Sequence, residues 1–136
     1  MEAESQTDIN SAMDIVTARQ RGRSLALELG FNGADVTLIA AAISEVARNI
    51  VDHAKSGEIV MSSLTNGQNA NRCGIQIIAR DRGPGIRDVA QAMQYGYSTR
   101  KGLGVGLPGA KWLMDEFDIS SELGRGTTIT MRKWKR

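Results

Sequence analysis

A single cysteine (Cys73) and a single histidine (His53) among 136 residues leave no material for a disulfide framework, a Cys/His zinc cluster or most catalytic triads. The polar, acidic start MEAESQTDIN lacks an apolar signal core, and no run approaches the ~18 apolar residues of a membrane span. The chain is therefore expected to be neither exported nor inserted in a membrane. Its sparse cysteine suits a reducing compartment, which makes the cytoplasm the expected location. A basic face is missing too. Net charge is +2, and because Arg132, Lys133, Lys135 and Arg136 supply four cations at the C-terminus, the remainder sums to about −2. Nucleic acid is not an expected partner. There are no internal repeats or low-complexity linkers, and the length suits one domain over residues 1–136.

Glycine is what the sequence has in excess, at 15 of 136 residues. Nine of the fifteen lie between residues 81 and 126. Turns alone would spread them along the chain, whereas clustering suggests loops that approach a ligand closely.

Periodicity supplies the scaffold. QTDI reads as a short edge strand, followed by Ser11 and Asp14 at capping-box spacing. The next helix carries Ile15, Val16, Leu25 and Leu29 and stops at Gly30. A second helix, roughly residues 34 to 54, places Val36, Ile39, Ala40, Ile43, Ala47, Ile50 and Val51 on one face and Glu45 and Asn49 on the other. EIVMSSL and GIQIIARD read as strands around a polar connection containing Asn66 and Gly67. IRDVAQAM reads as a short helix, PGAKWLMDEF as another with Pro108 in its first turn, and DISSEL and TTITMRKW as strands around a Gly124 to Gly126 turn. Ile129 and Met131 alternate with Thr128, Thr130 and Arg132, the pattern of a sheet covered on one face. The expected fold is a two-layer α/β sandwich, with helices on one face of a mixed, mostly antiparallel sheet.

The glycine loop GLGVGLPG fits no common phosphate cradle. Gly104, Gly106 and Gly109 formally match the dinucleotide fingerprint, but the polar, lid-like YGYSTRK precedes them where a buried strand is required. Ala110 stands where a P-loop needs its lysine, and the VAIK, HRD and DFG signatures of eukaryotic-type kinases are absent. Two constellations lie upstream. Glu45 and Asn49 stand one helical turn apart, a spacing that serves either a solvated polar face or a base beside an oxygen ligand for Mg2+. Asp81, Gly83 and Gly85 directly follow a strand; such a set makes either a plain turn or an acceptor and floor for a flat base.

Glu-x-x-x-Asn on a helix, Asp-x-Gly-x-Gly after a strand, GLGVGL before a helix and Gly-x-Gly-Thr before a strand, in that order, resemble the GHKL family of ATPases and kinases. Within it, DIVTARQRGRSLALELGF, AISEVARNI, ARDRGPGI, GLGVGLPGAKWLMDEF and GTTITMRKW are similar to the RsbT-type serine/threonine kinases of the bacterial stressosome, over roughly residues 8 to 134. Anti-sigma-factor kinases of the RsbW and SpoIIAB type are the alternative. The resemblance implies use of ATP and Mg2+. It implies Glu45 as the base acting on the incoming hydroxyl, Asn49 as a Mg2+ ligand, Asp81 as acceptor for the adenine amine with Thr127 in support, and Gly83 and Gly85 as the floor beneath the base. Gly102, Leu103, Gly104, Val105 and Gly106 would wrap the phosphates, with the following helix adding its N-terminal dipole. Arg100 and Lys101 suit either phosphate neutralisation or a solvated rim. No helical hairpin with a phosphoacceptor histidine and no transducer domain accompanies these motifs, so the acceptor hydroxyl is expected on another protein. By resemblance that protein is a STAS-domain partner of the RsbS or RsbR type, with an RsbU-type phosphatase as the downstream regulator. His53 is expected at the surface or cleft rim, Cys73 as a small strand residue, Trp112 and Met114 against the core, and the cationic C-terminus as a solvated tail.

Overall fold

The two long helices begin and end where their capping residues put them. In the computed structural model, which describes residues 4–66, 69–86, 89, 93 and 106–135, helix α1 spans Ala12–Glu28. The Asp14 carboxylate accepts the Ser11 N–H at 3.1 Å and the Asn10 N–H at 2.8 Å, so two donors at the helix entry are satisfied by one side chain. At the other end Gly30 N–H bonds to the Leu27 carbonyl and Phe31 N–H to the Ala26 carbonyl, each at 3.0 Å, the paired bonds of a Schellman stop. Helix α2 spans Gly33–His53, and the Asn32 side chain accepts the Asp35 N–H at 2.8 Å. Its buried apolar residues are Val36, Ile39, Ala40, Ile43, Ala47 and Ile50, as the periodicity indicates, with Ala42 and Val46 added and Val51 only half-buried.

The strands are β1 (Glu4–Ile9), β2 (Gly57–Asn66), β3 (Asn69–Asp81), β4 (Glu116–Glu122) and β5 (Gly126–Trp134), and helix α3 (Gly106–Leu113) precedes β4. They form a single sheet in the order β1-β2-β3-β5-β4. Every neighbouring pair is antiparallel. Ile59, Met61, Ile75, Ile77, Ala79, Ile129 and Met131 lie buried on one face, packed with the inward stripes of α1, α2 and α3. Full burial of each such large side chain stabilises by about 1.5–3 kcal/mol relative to exposure, and that gain holds the two layers together. Arg132, Gln76 and Glu116 form a polar cross-strand row instead: Arg132 donates to Gln76 at 2.9 Å and pairs with Glu116 at 3.4 Å. No helix among the described residues is long and apolar enough to cross a membrane.

Three expectations change. The segment PGAKWLMDEF is helical only through Leu113, because β5 captures the chain beyond that point: Lys133 Nζ donates to the Leu113 carbonyl at 3.0 Å and Asp115 N–H to the Arg132 carbonyl at 3.0 Å. Trp112 does not pack against the core. Leu107 and Ala110 take the buried side of α3, with Met114 buried just beyond its end, which turns Trp112 to solvent at 81% exposure. Nor is the cationic C-terminus a free tail, since Arg132 and Lys133 belong to β5 and Lys133 is buried. Of the two readings left open for Glu45, the solvated face does not hold, because Glu45 is buried. IRDVAQAM falls largely outside the described residues, although Met93 N–H bonds to the Val89 carbonyl at 3.0 Å. His53 is exposed at the end of α2, and Cys73 is half-buried in β3, with Sγ 4.0 Å from the Leu29 carbonyl.

Candidate functional site

Glu45 is 8% exposed, and a carboxylate taken this far out of water needs compensating partners. Gly106, the first residue of α3, donates its backbone N–H to Glu45 Oε1 at 3.2 Å, and the Arg48 guanidinium lies 3.5 Å from Oε2. The helix terminus adds a partial positive charge beside the same group. A residue 61 positions away in sequence thus covers what periodicity alone assigns to solvent. Asn49 follows one turn later, half-buried on the same helix.

Between α1 and α2 a groove of about 610 Å³ runs past this carboxylate, lined by Arg19, Arg23, Arg48, Ser44 and Glu45 among others. Three guanidinium groups around one open depression favour anionic or hydrogen-bond-accepting occupants. Ser44 is itself spoken for, its hydroxyl donating to the Ala40 carbonyl at 3.0 Å.

Asp81 ends β3 and stands opposite Thr127 in the β3–β5 register, which puts the two side chains on one face. Its Oδ1 accepts the Gly83 N–H at 2.9 Å, a local bond that shapes the loop. Gly83 and Gly85 lie where side chains would not fit. A Cβ on Gly83 would come within 2.6 Å of Ala54 Cβ, and one on Gly85 would overlap the Glu122 carbonyl oxygen. Thr127 is buried, and its hydroxyl meets Ser121 Oγ at 2.8 Å. Ser121 also accepts the Ile86 N–H at 2.7 Å, tying the Asp81 loop to β4. Sequence reasoning passed over both Ser121 and Arg48. The available signal for Ser121 was a hydroxyl on the inward phase set by Phe117 and Ile119.

The structure therefore gathers Glu45, Asn49 and the start of α3 at one end, and Asp81, Gly83, Gly85 and Thr127 at the other. Arg100, Lys101, Gly102, Leu103, Gly104 and Val105 lie outside the described residues. Among the described residues no three His, Cys, Asp or Glu side chains gather as a metal cage. A single amide oxygen at Asn49 suits Mg2+ only where phosphate oxygens and water complete the shell, which is how Mg2+ accompanies nucleotides.

Residues 10–133 match the histidine kinase-like ATPase domain family. The chain belongs to that family. It is 47% identical over all 136 residues to the serine/threonine-protein kinase RsbT of Bacillus subtilis, covering the full length of both. It is 32% identical over 103 residues to an anti-sigma F factor of Caldanaerobacter subterraneus, covering 74% of this chain and 71% of the relative. Among solved structures it resembles the RsbU and RsbW domains of Rv1364c from Mycobacterium tuberculosis, at 25% identity and a TM-score of 0.63. That match covers 98% of this chain but only 32% of the longer protein. The catalytic domain of histidine kinase ThkA shares the fold at 14% identity and a TM-score of 0.52, with 95% of each chain covered. This family member is an ATP-using serine/threonine kinase of the partner-switching kind.

Proposed function

We propose that the chain transfers the γ-phosphoryl group of ATP to a serine or threonine of a STAS-domain partner of the RsbS or RsbR type. On release it then engages a downstream regulator such as an RsbU-type phosphatase. The setting of Glu45 carries this reading: a buried carboxylate held by an α3 amide and by Arg48, at the edge of an arginine-lined groove of about 610 Å³. A hydroxyl delivered along that groove meets Glu45, which takes its proton as the oxygen attacks the γ-phosphorus and ADP departs. Arg48 keeps the carboxylate from swinging away. Asp81 Oδ2 takes the adenine amine, above a floor at Gly83 and Gly85, with Thr127 beside it. The resemblance assigns the phosphates to Arg100, Lys101 and the glycine-rich run from Gly102, with the N-terminal dipole of α3 in support. Asn49 would hold Mg2+, which supplies neutralisation of phosphate charge when bound.

The anti-sigma-factor alternative has weaker support, since that relative matches at 32% over 74% of the chain against 47% over all of it. Pull-down with a STAS protein against a sigma factor separates the two. The chemistry is tested by Glu45→Gln in a phosphotransfer assay with the STAS partner. ATP binding should persist while transfer falls roughly 100- to 10,000-fold. Wild-type turnover in that variant would reduce Glu45 to a brace for α3.

A further inference from the structure

Ser121 has more hydrogen-bond partners than hydrogens, and the excess fixes a direction. Its Oγ lies 2.7 Å from the Ile86 nitrogen, 3.2 Å from the Gly126 carbonyl oxygen and 2.8 Å from Thr127 Oγ1. The Ile86 N–H can only donate, and the Gly126 carbonyl can only accept. Ser121 owns one hydroxyl hydrogen. All three contacts are hydrogen bonds at once only if that hydrogen goes to Gly126 and Thr127 donates its own to Ser121. Thr127 is 5% exposed, where an unmade bond is not made good by water. Its hydroxyl therefore shows nothing but lone pairs to any other neighbour. Opposite it in the strand register stands Asp81, whose carboxylate is also an acceptor.

We infer that Ser121 is a specificity-determining residue: by taking the Thr127 hydrogen it leaves only acceptors opposite the purine 6-position, which admits a 6-amino group and rejects a 6-oxo group. This rests on the assignment of Asp81 to the adenine amine. Ser121 touches no nucleotide in this scheme and acts through Thr127. Without its oxygen the Thr127 hydroxyl is free to turn its hydrogen toward the ligand, offering a 6-oxo base the donor that the intact site withholds. The Ile86 N–H would lose its acceptor as well, but a loosened loop weakens both purines alike. The ratio of affinities thus separates the two effects.

The test measures equilibrium binding of ATP and ITP, which differ at the purine 6-position and the adjoining ring proton, to the full chain. Wild type should favour ATP by at least about 10-fold. Ser121→Ala should narrow that preference about 3- to 10-fold. Ser121→Thr, which keeps the hydroxyl, should restore it. If the alanine variant fails to fold, Ser121→Cys, with a weak thiol donor and acceptor, should show an intermediate ratio. An unchanged ratio in a variant that binds ATP overturns the inference alone, as does a wild type that binds ATP and ITP equally. A wild type that binds no ATP overturns the nucleotide reading and this inference with it.

Discussion

Replacing Gly126 with alanine tests the seam between β3 and β5 on which the Asp81 end of the site depends. Gly126 has φ +112, and a Cβ there would overlap the Asp81 carbonyl oxygen and lie 2.8 Å from Arg82 Cα. Two penalties combine. Left-handed backbone costs an L-residue about 1–2 kcal/mol. Overlap with main-chain atoms, which have no rotamer to escape through, adds a further ~1–3 kcal/mol. Gly124, two positions earlier in the same turn, provides the control, because at φ +79 a methyl added there would meet nothing within 4 Å and so would carry the first penalty only. Gly124→Ala should therefore cost about 1 kcal/mol and Gly126→Ala about 3–4 kcal/mol. For a chain of this length each kcal/mol moves Tm by about 3–4 °C, so urea titration and thermal melting should both resolve the pair. Gly126→Ala should also weaken ATP binding, since the strands must part beside Asp81 and Thr127, and Gly124→Ala should leave it unchanged. Equal losses of stability would refute the reasoning and show that β3 and β5 separate there at no cost.

Asp81→Asn should preserve the loop, because an amide oxygen still accepts the Gly83 N–H, while its NH2 group opposes the adenine amine. ATP affinity should fall roughly 10- to 150-fold by calorimetry, corresponding to about 1.5–3 kcal/mol, with little loss for ITP. Asp14→Ala removes the acceptor for the Ser11 and Asn10 amides and should cost about 0.5–2 kcal/mol in chemical denaturation, with nucleotide affinity unchanged.

Local chemistry made α1 and α2 legible in the sequence: capping at Ser11, a stop at Gly30, and apolar residues at helical spacing. Strand alternation likewise pointed to the one-sided sheet, down to Ile129 and Met131 facing in. What escaped depended on elements meeting from far apart. Periodicity put Glu45 on the polar phase of α2 correctly, yet could not say that α3 would arrive to cover it. Trp112 looked like core until Leu107 and Ala110 fixed the rotation of α3. Lys133 looked like tail because its acceptor, the Leu113 carbonyl, lies 20 residues back. Ser121 left only the faint signal of a hydroxyl in phase with its apolar strand neighbours. The order of the nucleotide motifs was plain in the sequence, whereas the hydrogen-bond directions that would give them selectivity emerge only from the pairing of β3, β4 and β5.

The sheet order places residues 82–115 in one excursion between β3 and β4, leaving and rejoining the sheet at fastened points. Gly124 N–H holds the Pro84 carbonyl at 2.9 Å and Ser121 holds Ile86 at the departure; Asp115 is held by the Arg132 carbonyl at 3.0 Å on the return. No strand ladder runs through the described residues of the interval. Loop length between Ile86 and Gly106 is therefore uncoupled from the register of every strand: a segment spliced there from a relative need preserve only the fastenings at Pro84 and Ile86 on one side and, on the other, the packing of α3 with its Gly106–Glu45 bond.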